Sequence, residues 1–206
     1  TMPANLAICL NERFTYACVQ TEKGKLIVLD SKVDELLAKF GLTNQGIVAT
    51  YKGKQLEGIT VQHPMVNRTS VIILGGHVTD EDGTGCVHTA PGHGPEDYEV
   101  GVKNGIKVFC PVGENGCYTE EAGKYVGSGV KDANPEITHD LYHHGALLKE
   151  GTIDHRVGLC WRCKTPIEIM TKKQWFVAVK KMTDDIISQA SSMRWIPDHM
   201  YIRLEN

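Results

Sequence analysis

Residues 83–98 read GTGCVHTAPGHGPEDY and place two histidines, His88 and His93, close to two carboxylates, Glu96 and Asp97. Imidazole and carboxylate groups together can bind an ammonium group, hold a metal ion or transfer protons. The glycines and prolines between them exclude regular structure from the middle of the segment. We therefore expect His88 and Asp97 to lie on opposite arms of one tight loop and to face a common pocket.

The residues around this loop predict a strand before it and a helix after it. Residues 86–88 form a short extended run after a glycine turn. Pro95 suits the first position of a helix, Glu96 and Asp97 favour the positive end of its dipole, and Gly105 stops it. On this interpretation alone, Asp97 could simply neutralise the helix start, and His93 could simply shape the loop through hydrogen bonds to the backbone.

Elsewhere the chain is dominated by short β-type segments that are separated by glycines. The clearest helix is capped by Asp30 or Ser31, has apolar residues at i, i+3, i+4 and i+7, and is closed by Gly41. Further helices are predicted to begin at Asn134 or Pro135 and at Met182. The fold class is therefore α/β, with a β-barrel-like core of short strands and peripheral helices. The remaining predicted strands are residues 6–10, 16–21, 25–29, 47–51, 59–61, 71–74, 107–111, 167–170 and 175–179.

Composition limits the kinds of partner that the chain can have. Its 206 residues are 41% hydrophobic and 23% charged, with a formal net charge of −3. A chain without a basic excess contacts nucleic acid only locally, for example at a strand end. We see no signal peptide and no apolar run near eighteen residues, so we expect no membrane partner. Seven cysteines, scattered except for one pair, favour reduced thiols and a cytoplasmic location.

Four segments together carry a resemblance to a known family. They read TMPANLAICLN, GTGCVHTAPGHGPEDYEVG, CWRCKTPIE and KQWFVAVKKM. In this order and at these intervals, the chain resembles the editing insertion, connective peptide 1, of isoleucyl-tRNA synthetases over essentially its whole length. The related valyl and leucyl enzymes do not usually carry a histidine at the place of His88, and they tend to have Ala-His-Asp where this chain has Gly92, His93 and Gly94.

The resemblance implies hydrolytic proofreading. A pocket for isoleucine cannot strongly exclude valine, because a missing methylene is worth only about 1–3 kcal/mol, and this amino-acid pair is the standard example of that limit. The implied activity is hydrolysis of valine mischarged on the isoleucine tRNA, with valyl-adenylate as a further candidate substrate. The parent synthetase uses ATP and magnesium to ligate isoleucine to tRNA. This chain contains neither the HIGH nor the KMSKS type of signature for that reaction.

The family's site residues map onto this sequence one by one. Asp97 would hold the α-ammonium of the misplaced amino acid, and His88 would line the side-chain pocket so that valine fits and isoleucine clashes. We do not assign His88 as a general base. The other implied substrate-binding residues are Thr1, Gly83, Thr84, Gly85, His93, Gly94 and Tyr98.

The resemblance also implies domains, partners and cofactors. Residues 1–155 would form the editing core, and residues 156–206 would be a CxxC-containing segment that returns to the catalytic domain. The implied partners are the aminoacylated 3′ end of the isoleucine tRNA, valine, and the rest of the synthetase. Editing itself would need no cofactor.

Two sets of residues suggest metal binding. Cys160 and Cys163 have the CxxC spacing of half a tetrahedral zinc site, whose partner cysteines lie upstream of the insertion in relatives with this feature; the alternative is two reduced thiols in a turn. His139 and His143 have the i, i+4 spacing of a helical metal site, although a solvated helix face is favoured.

Two other classes of function remain as alternatives to metal-free editing. His88, His93 and Asp97 contain the ligand types of a hydrolytic zinc centre. A module that binds the tRNA acceptor end without turnover is the other alternative, and binding without hydrolysis would distinguish it.

Overall fold

The computed structural model, which describes residues 1–152, 154 and 156–205, contains two open β-sheets. The strands are β1 (Ala7–Leu10), β2 (Thr15–Thr21), β3 (Gly24–Leu29), β4 (Ile47–Lys52), β5 (Thr60–Gln62), β6 (Thr69–Leu74) and β7 (Val87–Thr89). One sheet has the strand order β5-β6-β1-β7, and the other has the order β3-β2-β4. The α-helices are α1 (Val33–Phe40), α2 (Gly53–Leu56), α3 (Pro95–Lys103), α4 (Asn134–His143), α5 (Thr183–Ser191) and α6 (His199–Glu205).

The three-stranded sheet is an antiparallel unit covered by α1. Strand β2 forms an antiparallel hairpin with β3 and pairs with β4 on its other side. The apolar stripe of α1 packs on this sheet, and Gly41 ends the helix in a left-handed conformation with φ of 70°. The buried residues of this layer are Ala17, Val19, Val28, Val33, Leu36 and Leu37.

The four-stranded sheet positions the central loop. Strand β1 runs parallel to β6 and antiparallel to β7, which places Ile8 opposite His88 at the edge of the sheet. Helix α3 packs Val100 against Ala7 and Cys9 of β1. Because both β7 and α3 rest on β1, the loop between them has fixed ends.

A third apolar cluster holds α4. Ile137 of α4 packs with Tyr118 and Tyr125. On the same helix, the buried carboxylate of Asp140 accepts a hydrogen bond from the Tyr125 hydroxyl and pairs with the Lys124 ammonium at 2.5 Å. A carboxylate that is buried with both a charged and a neutral donor keeps a fixed position.

The α/β class with peripheral helices is confirmed, but the barrel is not. Within the described residues, the sheets do not close on each other. Side chains such as Leu10, Tyr16 and Leu29 form a common core between the sheets. The strands are only three to seven residues long, so packing rather than a continuous hydrogen-bond ladder joins the two sheets.

The strands predicted at residues 107–111, 167–170 and 175–179 are wrong. None of these three runs is a strand in the structure. The Trp175 side chain is fully exposed, and in the described part of the chain no strand pairs with its run. β-branched and aromatic residues form a strand only where a partner edge is available, and sequence pattern does not reveal that edge.

Two helices, α2 and α6, were not predicted. Helix α2 is four residues long and α6 is seven, so each is too short to show a clear helical period. Among the described residues, no helix has the length and apolar character needed to cross a membrane.

The chain divides into two compact units, Thr1–Thr171 and Lys172–Asn206. The boundary predicted after residue 155 therefore falls inside the first unit. Hydrogen bonds across the predicted boundary explain the difference, because Thr171 N–H donates to the Gly92 carbonyl and His93 Nδ1 lies 3.1 Å from the Ile169 carbonyl. The functional roles assigned to the two predicted segments stay predictions.

Candidate active site

The loop between β7 and α3 is a tight turn closed by hydrogen bonds. His93 N–H donates to the Ala90 carbonyl at 2.9 Å, and Ala90 N–H donates to Asp97 Oδ2 at 2.7 Å. His88 lies on β7 and Asp97 lies in the first turn of α3. The two residues thus occupy opposite arms of the loop, as the sequence predicted.

His88 is held at both ring nitrogens. Asn5 Nδ2 lies 2.6 Å from His88 Nδ1, and Thr1 Oγ1 lies 3.0 Å from His88 Nε2. The Asn5 amide nitrogen also donates to the Ala7 carbonyl at 3.0 Å. A carbonyl oxygen can only accept a hydrogen bond, so the Asn5 atom that faces it is the amide nitrogen, and the same NH₂ group makes His88 Nδ1 an acceptor. The proton of neutral His88 therefore resides on Nε2 and points to Thr1.

The environment keeps His88 uncharged near neutral pH. Burial is the main cause that lowers its pKa to about 4, while the charge of Asp97 opposes the shift. A neutral imidazole that is hydrogen-bonded at both nitrogens has a fixed position and cannot readily transfer a proton to or from a substrate. With no nitrogen free to accept a proton from water, His88 is not placed to act as a general base.

The lowered pKa predicts that the protein loses stability between about pH 6.5 and about pH 4. In this window the unfolded chain binds a proton at His88 and the folded chain does not, so acid favours unfolding. On going from pH 7.5 to pH 5, the titration of His88 should lower the free energy of unfolding by about 2 kcal/mol. Urea unfolding at both pH values measures it, and His88→Gln should show a smaller difference than the unsubstituted chain. If the free energy of unfolding changed equally with pH in both proteins, folding would not lower the pKa of His88.

Asp97 retains one oxygen for a ligand. Its Oδ2 accepts the Ala90 N–H, whereas no protein donor among the described residues reaches Oδ1. The residue is at the third position of α3, where the helix dipole favours negative charge. A partly buried carboxylate with one unused oxygen is well suited to bind an ammonium group.

Sequence reasoning missed Asn5 and the residues that support it. Asn5 is buried, and its Oδ1 accepts a hydrogen bond from Ser70 Oγ of β6. The only available signal was an asparagine within the segment TMPANLAICLN, whose contact with His88 spans 83 residues. The contact orients His88, but local sequence patterns cannot predict it because the two residues are far apart in the sequence.

The turn that carries Thr1 is also held by distant side chains. His63 Nε2 lies 3.0 Å from the Met2 carbonyl, and Arg68 Nη2 donates to the Pro3 carbonyl at 2.7 Å. His63 Nδ1 accepts from the N–H groups of Met65 and Val66, so its Nε2 is the donor to Met2. These contacts fix the position of Thr1 against His88.

The predicted substrate residues Gly83, Thr84 and Gly85 lie in the turn just before β7, where their described contacts are structural. Thr84 Oγ1 accepts from Cys86 N–H, and the Gly85 carbonyl accepts from the Tyr16 hydroxyl. A Cβ added at Gly85 would lie 2.3 Å from the Leu29 side chain. Substrate binding by this turn stays a prediction.

Gly94 and Tyr98 line an apolar groove of about 440 Å³ beside the start of α3. The opposite wall is formed by Ile169, Met170 and Thr171. His93 joins the two walls, because its Nδ1 lies 3.1 Å from the Ile169 carbonyl. His93 Nε2 is buried without a described partner. The structure thus places His93, Gly94 and Tyr98 together, next to Asp97.

Two glycines of the loop predict opposite responses to alanine. A Cβ at Gly92 would lie 2.2 Å from the Phe109 carbonyl oxygen, whereas one at Gly94 would meet only Asp97 at 3.9 Å. We expect Gly92→Ala to lower the free energy of unfolding by about 3 kcal/mol, because backbone must move, and Gly94→Ala to change it by less than about 1 kcal/mol. Chemical denaturation measures both. Equal effects would mean that the loop is loosely packed.

The two cysteines of the CxxC motif lie in a turn closed by Cys160 N–H donating to the Thr165 carbonyl at 2.8 Å. Hydrogen bonding by Thr165, and then by Cys160, lowers the pKa of Cys163 to about 7. Thiols with this acidity suit zinc, and the pair fits half of a tetrahedral site. Among the described residues no group of three or more metal-ligating side chains forms, so this pair would need ligands from elsewhere. Zinc binding here stays a prediction.

The residues proposed for a hydrolytic zinc centre do not assemble one in the described part of the chain. Both nitrogens of His88 face protein partners, His93 Nδ1 faces a carbonyl, and Asp97 Oδ2 accepts from the loop backbone. His88 therefore has no nitrogen left for a metal, and only His93 Nε2 and Asp97 Oδ1 of this set lack a protein partner among the described residues. The arrangement therefore fits a binding pocket better than a metal centre.

Comparison with known proteins places this chain in the class of aminoacyl-tRNA synthetase segments. The isoleucine–tRNA ligases of Methanothermobacter thermautotrophicus and Symbiobacterium thermophilum are 44% and 46% identical to this chain, over 96% and 99% of its length. The crystal structure of GlLeuRS-CP1 has a similar fold, with a TM-score of 0.56, 15% identity, and coverage of 70% of this chain and 77% of that one. No family model matches the chain.

The chain belongs to the isoleucine–tRNA ligase family. It spans 19% of the length of the Methanothermobacter enzyme and 22% of the Symbiobacterium enzyme. The relationship covers nearly the whole of this chain but only about a fifth of each relative.

Proposed function

We propose that this chain is the editing domain of an isoleucine–tRNA ligase and that it hydrolyses the ester between valine and the 3′ end of the isoleucine tRNA. The observation that carries the proposal is that Asp97 and His88 lie on the two arms of one loop, close enough for the charge of Asp97 to act on the His88 ring. Asp97 presents an unused carboxylate oxygen, and His88 presents a neutral imidazole that is fixed at both nitrogens. The Asp97 carboxylate is suited to bind the ammonium group of the amino acid. The His88 ring is suited to form one side of the pocket for its apolar side chain.

Each part of the substrate has a candidate surface. The α-ammonium of valine binds Asp97 Oδ1, and the isopropyl group contacts the His88 ring, which leaves no room for the extra methylene of isoleucine. The apolar groove beside Tyr98 accepts the terminal base of the tRNA, since aromatic rings stack on unpaired bases. Contact with one tRNA acceptor end needs few positive charges, which is consistent with the formal net charge of −3.

The reaction is attack of water on the ester carbonyl carbon. The bond from that carbon to the ribose oxygen breaks, the ribose oxygen takes a proton, and valine leaves as a carboxylate with release of a proton. Because His88 is engaged at both nitrogens, the chain contributes by holding the ester in place rather than by taking the proton. The same attack on valyl-adenylate would release valine and AMP.

The test is hydrolysis of valyl-tRNA and isoleucyl-tRNA, both made on the isoleucine tRNA, with and without a chelator. The 206-residue chain and a full-length isoleucine–tRNA ligase carrying it are measured side by side. Valine-selective release that survives chelation supports the proposal. Tight tRNA binding without release from either protein would indicate a binding module, and release that the chelator abolishes would indicate a zinc hydrolase.

A further inference from the structure

Two histidines on the last turns of α4 face each other through their Nε2 atoms. His139 and His143 are four residues apart, and their Nε2 atoms are separated by 2.9 Å, so one ring nitrogen donates a hydrogen bond to the other and a bound ion would replace the shared proton. The ring centroids are 4.2 Å apart, and the ring planes are inclined by 56°. Both side chains are exposed to solvent, so an ion can reach them.

The separation of the two nitrogens selects a coordination geometry. An ion about 2.05 Å from each nitrogen, the usual metal–imidazole distance, would see them at an angle of about 90°. That angle occurs between neighbouring ligands in square-planar and octahedral complexes, which Cu²⁺ and Ni²⁺ form. Tetrahedral zinc would need the nitrogens to move apart to an angle of about 109°.

We propose that His139 and His143 form a binding site for a divalent transition-metal ion of the Cu²⁺ or Ni²⁺ class. Within the described residues no group of three or more ligating side chains gathers, so the protein supplies this pair and water completes the coordination. The ion would link two successive turns of α4. It would thereby stabilise the helix whose other face packs on Tyr118 and Tyr125.

A buried carboxylate supports this site independently of the histidine spacing. Asp140 Oδ1 lies 4.0 Å from His139 Nδ1, and Asp140 itself is held by Lys124 and Tyr125. A carboxylate beside the second nitrogen of a histidine favours the proton on that nitrogen and leaves the other lone pair for a metal. At 4.0 Å the contact is electrostatic rather than a hydrogen bond, and it favours the His139 tautomer that has its proton on Nδ1 and its lone pair on Nε2.

The charges around the pair favour a cation. Asp140 and Glu136 face this region from α4, and Lys124 faces it from the preceding turn, where its ammonium is paired with both carboxylates. The ring of Tyr142 packs edge-on against His143.

Titration with Ni²⁺ at about pH 7.5 tests the site. The 206-residue chain is used with Cys160→Ser and Cys163→Ser, which removes the thiols as competing ligands. We expect one binding event by calorimetry and paramagnetic broadening of amide signals centred on the end of α4. His139→Ala or His143→Ala should each weaken binding by at least about tenfold, while His144→Ala, an exposed neighbour outside the pair, should change it by less than about twofold.

Three results would overturn the proposal. They are binding that survives loss of both His139 and His143, an equal loss in His144→Ala, and broadening centred on another part of the chain. Because all three histidines are exposed, folding of the variants is expected to be unchanged, and circular dichroism verifies it. The site is independent of the proposed hydrolysis, so its failure would leave the editing proposal intact.

Discussion

Asp97→Asn should reduce kcat/KM for valyl-tRNA hydrolysis by about 100-fold or more. The substitution keeps the shape of the side chain and removes the charge that would bind the substrate ammonium, and a lost charge-assisted hydrogen bond in a partly buried site is worth about 3 kcal/mol. The asparagine oxygen can still accept the Ala90 N–H, so the loop should remain closed. Single-turnover hydrolysis with excess protein measures the effect.

Two comparison variants separate binding from folding in this experiment. Glu96→Gln removes an exposed carboxylate from the same helix turn and should leave hydrolysis within about threefold. Asp97→Ala also removes the Ala90 contact and should lower the free energy of unfolding by about 1–3 kcal/mol in addition to its effect on hydrolysis. If Asp97→Asn hydrolyses valyl-tRNA normally, Asp97 only stabilises the loop and the start of α3.

His88→Ala should make the protein hydrolyse isoleucyl-tRNA. Replacing the imidazole by a methyl group enlarges the side-chain pocket where isoleucine would otherwise clash, and one methylene accounts for about 1–3 kcal/mol of discrimination. The ratio of kcat/KM for valyl-tRNA to that for isoleucyl-tRNA should therefore fall by about 10- to 100-fold. Hydrolysis of valyl-tRNA should fall much less than in Asp97→Asn.

A volume-preserving substitution distinguishes the steric role of His88 from a chemical one. His88→Gln keeps a polar side chain of similar reach and should retain most of the preference for valine. His77→Ala removes an exposed histidine outside the loop and should change neither substrate. If His88→Gln and His88→Ala were equally inactive on valyl-tRNA with unchanged selectivity, His88 would have a catalytic rather than a selective role.

The substitutions of Asp97 and His88 should have different effects, although the two residues lie on the same loop. Loss of Asp97 should affect both aminoacyl esters alike, because every amino acid has the same ammonium group. Loss of His88 should affect only the distinction between the two side chains. The opposite pattern, or the same pattern in both variants, would contradict the division of roles in the proposed site.

The sequence by itself determined the elements that frame the site. The glycines and prolines of residues 83–98 require a loop, Pro95 and the acidic residues after it start α3, and the apolar spacing from Val33 to Phe40 gives α1. These features depend on local backbone preference and on period, which neighbouring residues carry. For the same reason the opposed positions of His88 and Asp97 could be predicted without coordinates.

Only the tertiary structure decided which side chains meet. The orientation of His88 depends on Asn5, 83 residues away, and the position of Thr1 depends on His63 and Arg68. The failure of residues 107–111 to become a strand has the same origin, because a strand needs a partner edge as well as suitable residues. Spacing placed His139 and His143 on one helix face, but only their side-chain conformations made the two nitrogens converge. Contacts of this kind follow from long-range packing and rotamer choice, which no local stretch of sequence encodes.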